Sequence, residues 1–140
     1  MRAYASSLGA WRLMEDQEGT EGRHGLTFPL AMLKAIGSGH GLEMIPEESC
    51  SLDTAHADAI FISVLDSRCM VETAAHFRRW RLPLARRERG PGHPLVWAGG
   101  QGLWAPLPMA EVYDLCVVGD AEDPLPLPLD AWTPDRDAFL

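Results

Sequence analysis

Apolar positions follow two rhythms along this chain, and the switching between them marks out its elements. RAYASSL, residues 2–8, predicts a weak first strand, and the polar, glycine-bearing stretch from Met14 to Gly25 suits a loop after it. That loop is long for a connection, and such length is more often functional or mobile than structural. TFPLAMLKAIGSGHG then predicts a helix: Thr27 can cap it, Pro29 is tolerated in its first turn, and Leu30, Leu33 and Ile36 recur at helical spacing until glycines stop it. LEMI, residues 42–45, is a short strand closed by Pro46. After an acidic connection, Ala57 to Leu65 form a near-continuous apolar run broken by Asp58 and Ser63, as expected of a buried parallel strand.

Asp66 and Ser67 can cap a second helix, with Met70, Ala74 and Phe77 on one face, Val71 beside them, and an end near Pro83. The loop ARRERGPGH leads into the strand PLVWA, the Gly99-Gly100 turn, a short helix or turn at Pro108 to Val112, and a last strand DLCVV. Strands alternating with helices predict a parallel sheet covered on both faces. Ligands of such sheets lie at the carboxyl ends of the strands, which the loops 9–26, 66–69 and 99–107 would line.

Composition narrows the class. At 140 residues the chain fits one domain. No apolar run approaches a membrane span, and the N-terminus meets acid too early for a secretory signal, so the expectation is a soluble cytoplasmic protein with no membrane association. Cys50, Cys69 and Cys116 are odd in number and widely spaced, and read as small hydrophobes in a reducing compartment. A net charge of −8 makes nucleic acid an unfavourable partner. One segment runs the other way: RRWRLPLARRER, residues 78–89, carries Arg78, Arg79, Arg81, Arg86, Arg87 and Arg89 against Glu88 alone. It reads either as a solvated helix end and loop or as a surface for an acidic partner, RNA or a phosphate-bearing ligand.

Four segments in order carry a resemblance. HGLTFPLAMLKAIGSGHGLEMI, ADAIFISVLDS, PLVWAGGQGLWAPLP and VYDLCVVGDAED together resemble the N-terminal cobalamin (B12)-binding-like domain of radical SAM enzymes, over roughly Thr27 to Trp132. The resemblance implies an α/β fold: a single flavodoxin-like or Rossmann-like three-layer domain with a five-stranded parallel sheet, of cobalamin-binding type, over residues 1–122. Residues 123–140 form a Pro-rich C-terminal tail, in which Pro124, Pro126 and Pro128 predict an extended course. The resemblance also implies a cofactor tail threading between strand ends, where Gly99, Gly100 and Gly119 leave backbone bare and Ser63 and Leu65 match the family's S-x-L. It points to His24 as the nearest counterpart of the cobalt-ligating histidine. His24 stands in GRHGLT, with Gly22 where that motif has aspartate and Thr27 where it has glycine.

The CxxxCxxC pattern that binds an iron–sulfur cluster in radical SAM barrels is not in this sequence. The first expectation is therefore a stand-alone, non-catalytic accessory subunit. Its partner would be a separately encoded radical SAM-type enzyme, docked through the tail or the arginine segment. The others are a cobalamin carrier or sensor, and a small nucleotide-binding α/β module or enzyme using the same strand-end crevice. Rival chemistry is thinner. Asp66-Ser67-Arg68 with His76 has no nucleophile elbow around it, and Glu47-Glu48 and Asp120-Glu122-Asp123 read as solvated turns rather than cation sites. Trp97 is expected inside with its strand, whereas Trp104 is free to stack on a planar ligand or a partner.

Overall fold

The computed structural model describes residues 1–8, 28–46, 57–66, 69–133 and 135–140. Five parallel strands form its sheet: β1 Arg2–Leu8, β2 Glu43–Pro46, β3 Ala59–Val64, β4 Leu95–Gly99 and β5 Leu115–Val117. They lie in the order β2-β1-β3-β4-β5. This is the flavodoxin-like order of doubly wound sheets, with its switch point between β1 and β3. The α/β class and the five-stranded parallel sheet expected from the sequence are what the chain forms.

The two-residue period of β3 and β4 divides the core. Ile60, Ile62, Val64, Val96 and Ala98 pack on one face with helix α2, Cys69–Arg79. Ala59, Phe61, Leu95 and Trp97 pack on the other with helix α1, Phe28–Ser38. Burial on both faces is why these strands read as unbroken apolar runs. Helix α2 keeps part of its expected face, with Phe77 buried and Met70 packed against the core, but Cys69 and Thr73 complete the buried stripe, while Ala74 is exposed and Val71 is 78% exposed. Thr73 hides in that stripe because its hydroxyl is satisfied, lying 2.7 Å from the Tyr113 hydroxyl.

An aspartate just ahead of a strand sets register twice. Asp58 accepts the Arg2 backbone N–H at 2.7 Å through its carboxylate and donates its own N–H to the Arg2 carbonyl at 2.9 Å. Asp114 repeats this two strands further along the sheet, accepting the Val96 N–H at 2.8 Å and donating to the Val96 carbonyl at 2.8 Å. Each aspartate thus clasps one residue of the neighbouring strand from both sides, fixing the pairing from which register follows.

The tail departs from its extended expectation. It forms two short helices, α4 Pro126–Asp130 and α5 Arg136–Phe139, with α3 Pro106–Met109 preceding β5. Pro124, Pro126 and Pro128 fall before or within the first turn of α4, where backbone N–H groups have no helical acceptor to lose. Leu125 and Leu129 are buried in the α1-side core, and Trp97 is sealed beneath Phe139, ring centroids 5.5 Å apart and nearly parallel, and Trp132. His40 at the end of α1 meets Asp130 of α4 at 2.5 Å. The tail is the second covering element of that face.

Candidate functional site

The candidate site is the carboxyl edge of the sheet. β3 and β4 end side by side there, with Ser63 opposite Gly99 and Gly99 opposite Val117 of β5. Ser63 is half-buried, Leu65 is 36% exposed just past β3, and Gly119 makes the turn after β5 at φ 104°. The structure therefore brings Ser63, Leu65, Gly99, Gly100 and Gly119 to one edge. His24 lies outside the described residues, as do Ser67, Arg68, Glu47, Glu48 and Cys50.

Gly100 has a structural occupation of its own. Its backbone, at φ 111° and ψ 175°, occupies a region essentially closed to other residues. A Cβ on it would stand 2.6 Å from the Val64 carbonyl oxygen, so β3 already fills the space a side chain would need. Two residues on, a Cβ at Gly102 would meet Val64 Cγ1 at 2.7 Å and the Asp66 backbone nitrogen at 2.9 Å. The 3-10 turn Gln101–Leu103 is thereby drawn down over the end of β3, with Leu103 buried in the α2-side core. Gly99 is under no such demand, because its Cβ would meet Val117 Cβ at an ordinary 3.7 Å. A corrinoid tail threading between strand ends needs open backbone, and the close approach at Gly100 is to β3 itself. At Gly100 that space is already taken, whereas a Cβ at Gly119 would meet nothing within 4 Å.

What this edge presents is apolar surface. Trp104 is 88% and Leu107 86% exposed on the short segment between β4 and β5, with Leu65 and Val118 partly exposed beyond the neighbouring strand ends. Leu103 and Met109, buried on either side, anchor that segment. The sequence separated Trp104 from Trp97 by position alone; Leu107, lodged between two prolines, carried no signal. Asp120, Glu122 and Asp123 are exposed in the turn after β5, and no metal-holding group of three is present among the described residues.

A second polar cluster escaped sequence reasoning. The carboxylate of Asp114, fully buried at the opposite edge, accepts hydrogen bonds from Arg89, at 3.2 Å, and from Arg136 of the tail. Arg89 also donates to the carbonyls of Pro83 at 3.0 Å, Leu84 at 3.1 Å and Val112, and its guanidinium lies 5.4 Å from the Phe77 ring centroid. Burial pushes the Arg89 guanidinium below its ordinary value, and Asp114 opposes that shift. Arg89 is thus an internal staple, distinct from the solvated arginines around it. His76, on α2, is half-buried and edge-on to Trp80 at 5.0 Å; desolvation lowers its pKa and Glu72 opposes that shift. Among the described residues no helix is long and apolar enough to cross a membrane.

No curated protein and no solved structure matches the chain. The family described as radical SAM proteins, N-terminal, does match, over residues 33–138, a span that takes in the second half of α1, every strand after β1 and nearly all of the tail. With three quarters of its length inside that match, together with the parallel sheet and strand-end loops, the chain belongs to the radical SAM N-terminal domain family.

Proposed function

We propose that this domain is a non-catalytic accessory unit that docks onto a separately encoded radical SAM-type enzyme through the carboxyl edge of its sheet. The observation that carries this reading is the exposure of Trp104 and Leu107 on a segment whose backbone is fixed, by Gly100 against β3 and by the buried Leu103 and Met109. Large apolar side chains held rigidly in solvent behave as anchors for a partner, because little conformational freedom remains to be lost on binding. In this reading the cluster chemistry of the family belongs to the partner.

The test is co-purification with the radical SAM-type protein encoded nearest to this chain. The wild-type domain is expected to form a complex that Trp104→Ala with Leu107→Ser abolishes while the melting temperature stays unchanged. A complex indifferent to both substitutions would sink the proposal, as would turnover by the isolated chain. The tail and the arginine segment are the competing docking elements, and the same experiment separates them. The apolar residues Leu125, Leu129, Trp132 and Phe139 face their own domain, which favours the carboxyl edge over the tail.

A further inference from the structure

The arginine segment at the other edge of the sheet has features that a merely solvated loop does not need. Half of the chain's 12 lysines and arginines fall within residues 78–89. Helix α2 returns the chain to the edge where β4 and β5 begin, so Arg78, Arg79, Arg81, Arg86 and Arg87, all exposed, lie around that end. Among the described residues, no carboxylate pairs with Arg78, Arg81, Arg86 or Arg87.

Two observations show that this surface is built. First, α2 ends in a Schellman motif: Leu82 donates to the Phe77 carbonyl at 2.9 Å and Arg81 to that of Arg78 at 3.2 Å, with Phe77 and Leu82 packed in the same core. The residue between helix and return must be left-handed, and glycine is the usual choice; here it is Arg81, at φ 57°. An L side chain kept where glycine would fit better suggests a use for that side chain. Second, the loop after it is held from beneath by Arg89, which binds the carbonyls of Pro83, Leu84 and Val112, while the Arg86 N–H is fixed to the Glu111 carbonyl at 2.8 Å. One buried arginine thus preorganises the loop that displays the others.

The geometry points to this edge as a docking surface for a short acidic segment of a partner protein. Charge selects the partner class: the chain as a whole carries −8, so a long polyanion is repelled beyond the arginines, whereas a short acidic peptide meets five exposed arginines against Glu88 and Glu111. The surface lies opposite the apolar edge, and its occupancy does not depend on the radical SAM reading.

Fluorescence anisotropy of a short Glu-rich peptide, titrated with the 140-residue chain at about 0.05 M and about 0.15 M salt, tests this; an oligouridylate of matched charge is the comparison. The peptide is expected to bind more tightly than the RNA and to weaken as salt rises. Arg86→Glu with Arg87→Glu is expected to lower peptide affinity by about tenfold or more without changing the melting temperature. Arg81→Gly separates use from structure: it is expected to melt about 1–3 °C higher, because the strain is relieved, yet to bind the peptide more weakly. Tighter binding of the RNA, no salt-dependent peptide binding, undiminished affinity in the double variant, or an Arg81→Gly protein that binds fully would each overturn the proposal.

Discussion

Placing a methyl group on Gly100 tests whether the bare strand end belongs to the fold. In Gly100→Ala the backbone at φ 111°, ψ 175° must be held in a region that disfavours alanine, a strain of about 1–3 kcal/mol. The new Cβ must also be relieved of a 2.6 Å approach to the Val64 carbonyl. β3 cannot yield easily, because it is hydrogen-bonded to β1 on one side and β4 on the other, and overpacking of this kind costs about 1–3 kcal/mol more. The sum, about 2–6 kcal/mol, is a large share of the about 5–15 kcal/mol that stabilises a domain. With an unfolding entropy of about 2 cal/mol/K per residue over 140 residues, a mid-range loss of about 3 kcal/mol lowers the melting temperature by about 10 °C. The assay is thermal denaturation of ligand-free protein followed by far-ultraviolet circular dichroism. Gly99→Ala is the control: its Cβ meets Val117 at ordinary contact distance, and its stability should stay within about 0.5 kcal/mol of the parent. A glycine kept only to admit a ligand would leave ligand-free Gly100→Ala as stable as Gly99→Ala, and that result would refute the reasoning.

Further consequences attach to the buried polar groups and the tail. Asp114→Asn removes the one carboxylate between two buried guanidinium groups and should destabilise by about 3–5 kcal/mol in urea unfolding; Arg136→Met leaves the Arg89–Asp114 pair balanced and should cost clearly less. Equal losses would show that charge balance is not what Asp114 supplies. Burial pushes the Tyr113 phenol up to about 12, the Thr73 hydroxyl partly opposing it. A folded pKa above the unfolded value of about 10 means that this contribution to stability is intact below pH about 10 and disappears as pH rises through about 12. In an ultraviolet titration, a Tyr113 phenolate forming near pH 10 without unfolding would contradict its burial. Deleting residues 123–140 uncovers Trp97 and the α1-side core, so the truncated chain should lose its cooperative thermal transition. A tail used only for docking would leave that transition in place.

The fold was legible wherever burial on both sides of a strand forces an apolar run. β1 was read at its observed bounds, and β3 within a run that overshot it by two residues at the start and one at the end. Periodicity misplaced part of the inward face of α2 because Thr73, a polar residue at a core position, is admitted only through a hydroxyl partner 40 residues away. The tail misled for a related reason: alternating prolines argue against a helix interior, but α4 is so short that most of it is first turn. Arg89 was counted with its neighbours, since composition carries no trace of the Asp114 carboxylate that draws it inward. At the strand ends the sequence located the edge, while Leu107 became visible as a candidate contact only through its exposure.

The motifs that carry the family resemblance are the residues that the fold itself employs most fully. Asp58 and Asp114, each opening an acid-then-apolar strand, clasp the backbone of the neighbouring strand, and Gly100 lets the chain after β4 settle against Val64. In this chain those contacts serve strand pairing and packing, whatever it binds. Specific function must then reside in side chains the fold leaves unused, since recognition depends on surface that differs between proteins sharing one scaffold. Among the described residues two such sets lie at opposite ends of the sheet. Trp104 and Leu107 stand at the carboxyl edge, and the arginines around the left-handed Arg81 stand at the other. One set is apolar and the other cationic, so the two would be weakened by different solvents. Contacts through Trp104 and Leu107 should persist as salt rises, whereas contacts through the arginines should weaken, so salt dependence alone assigns a given partner to its edge.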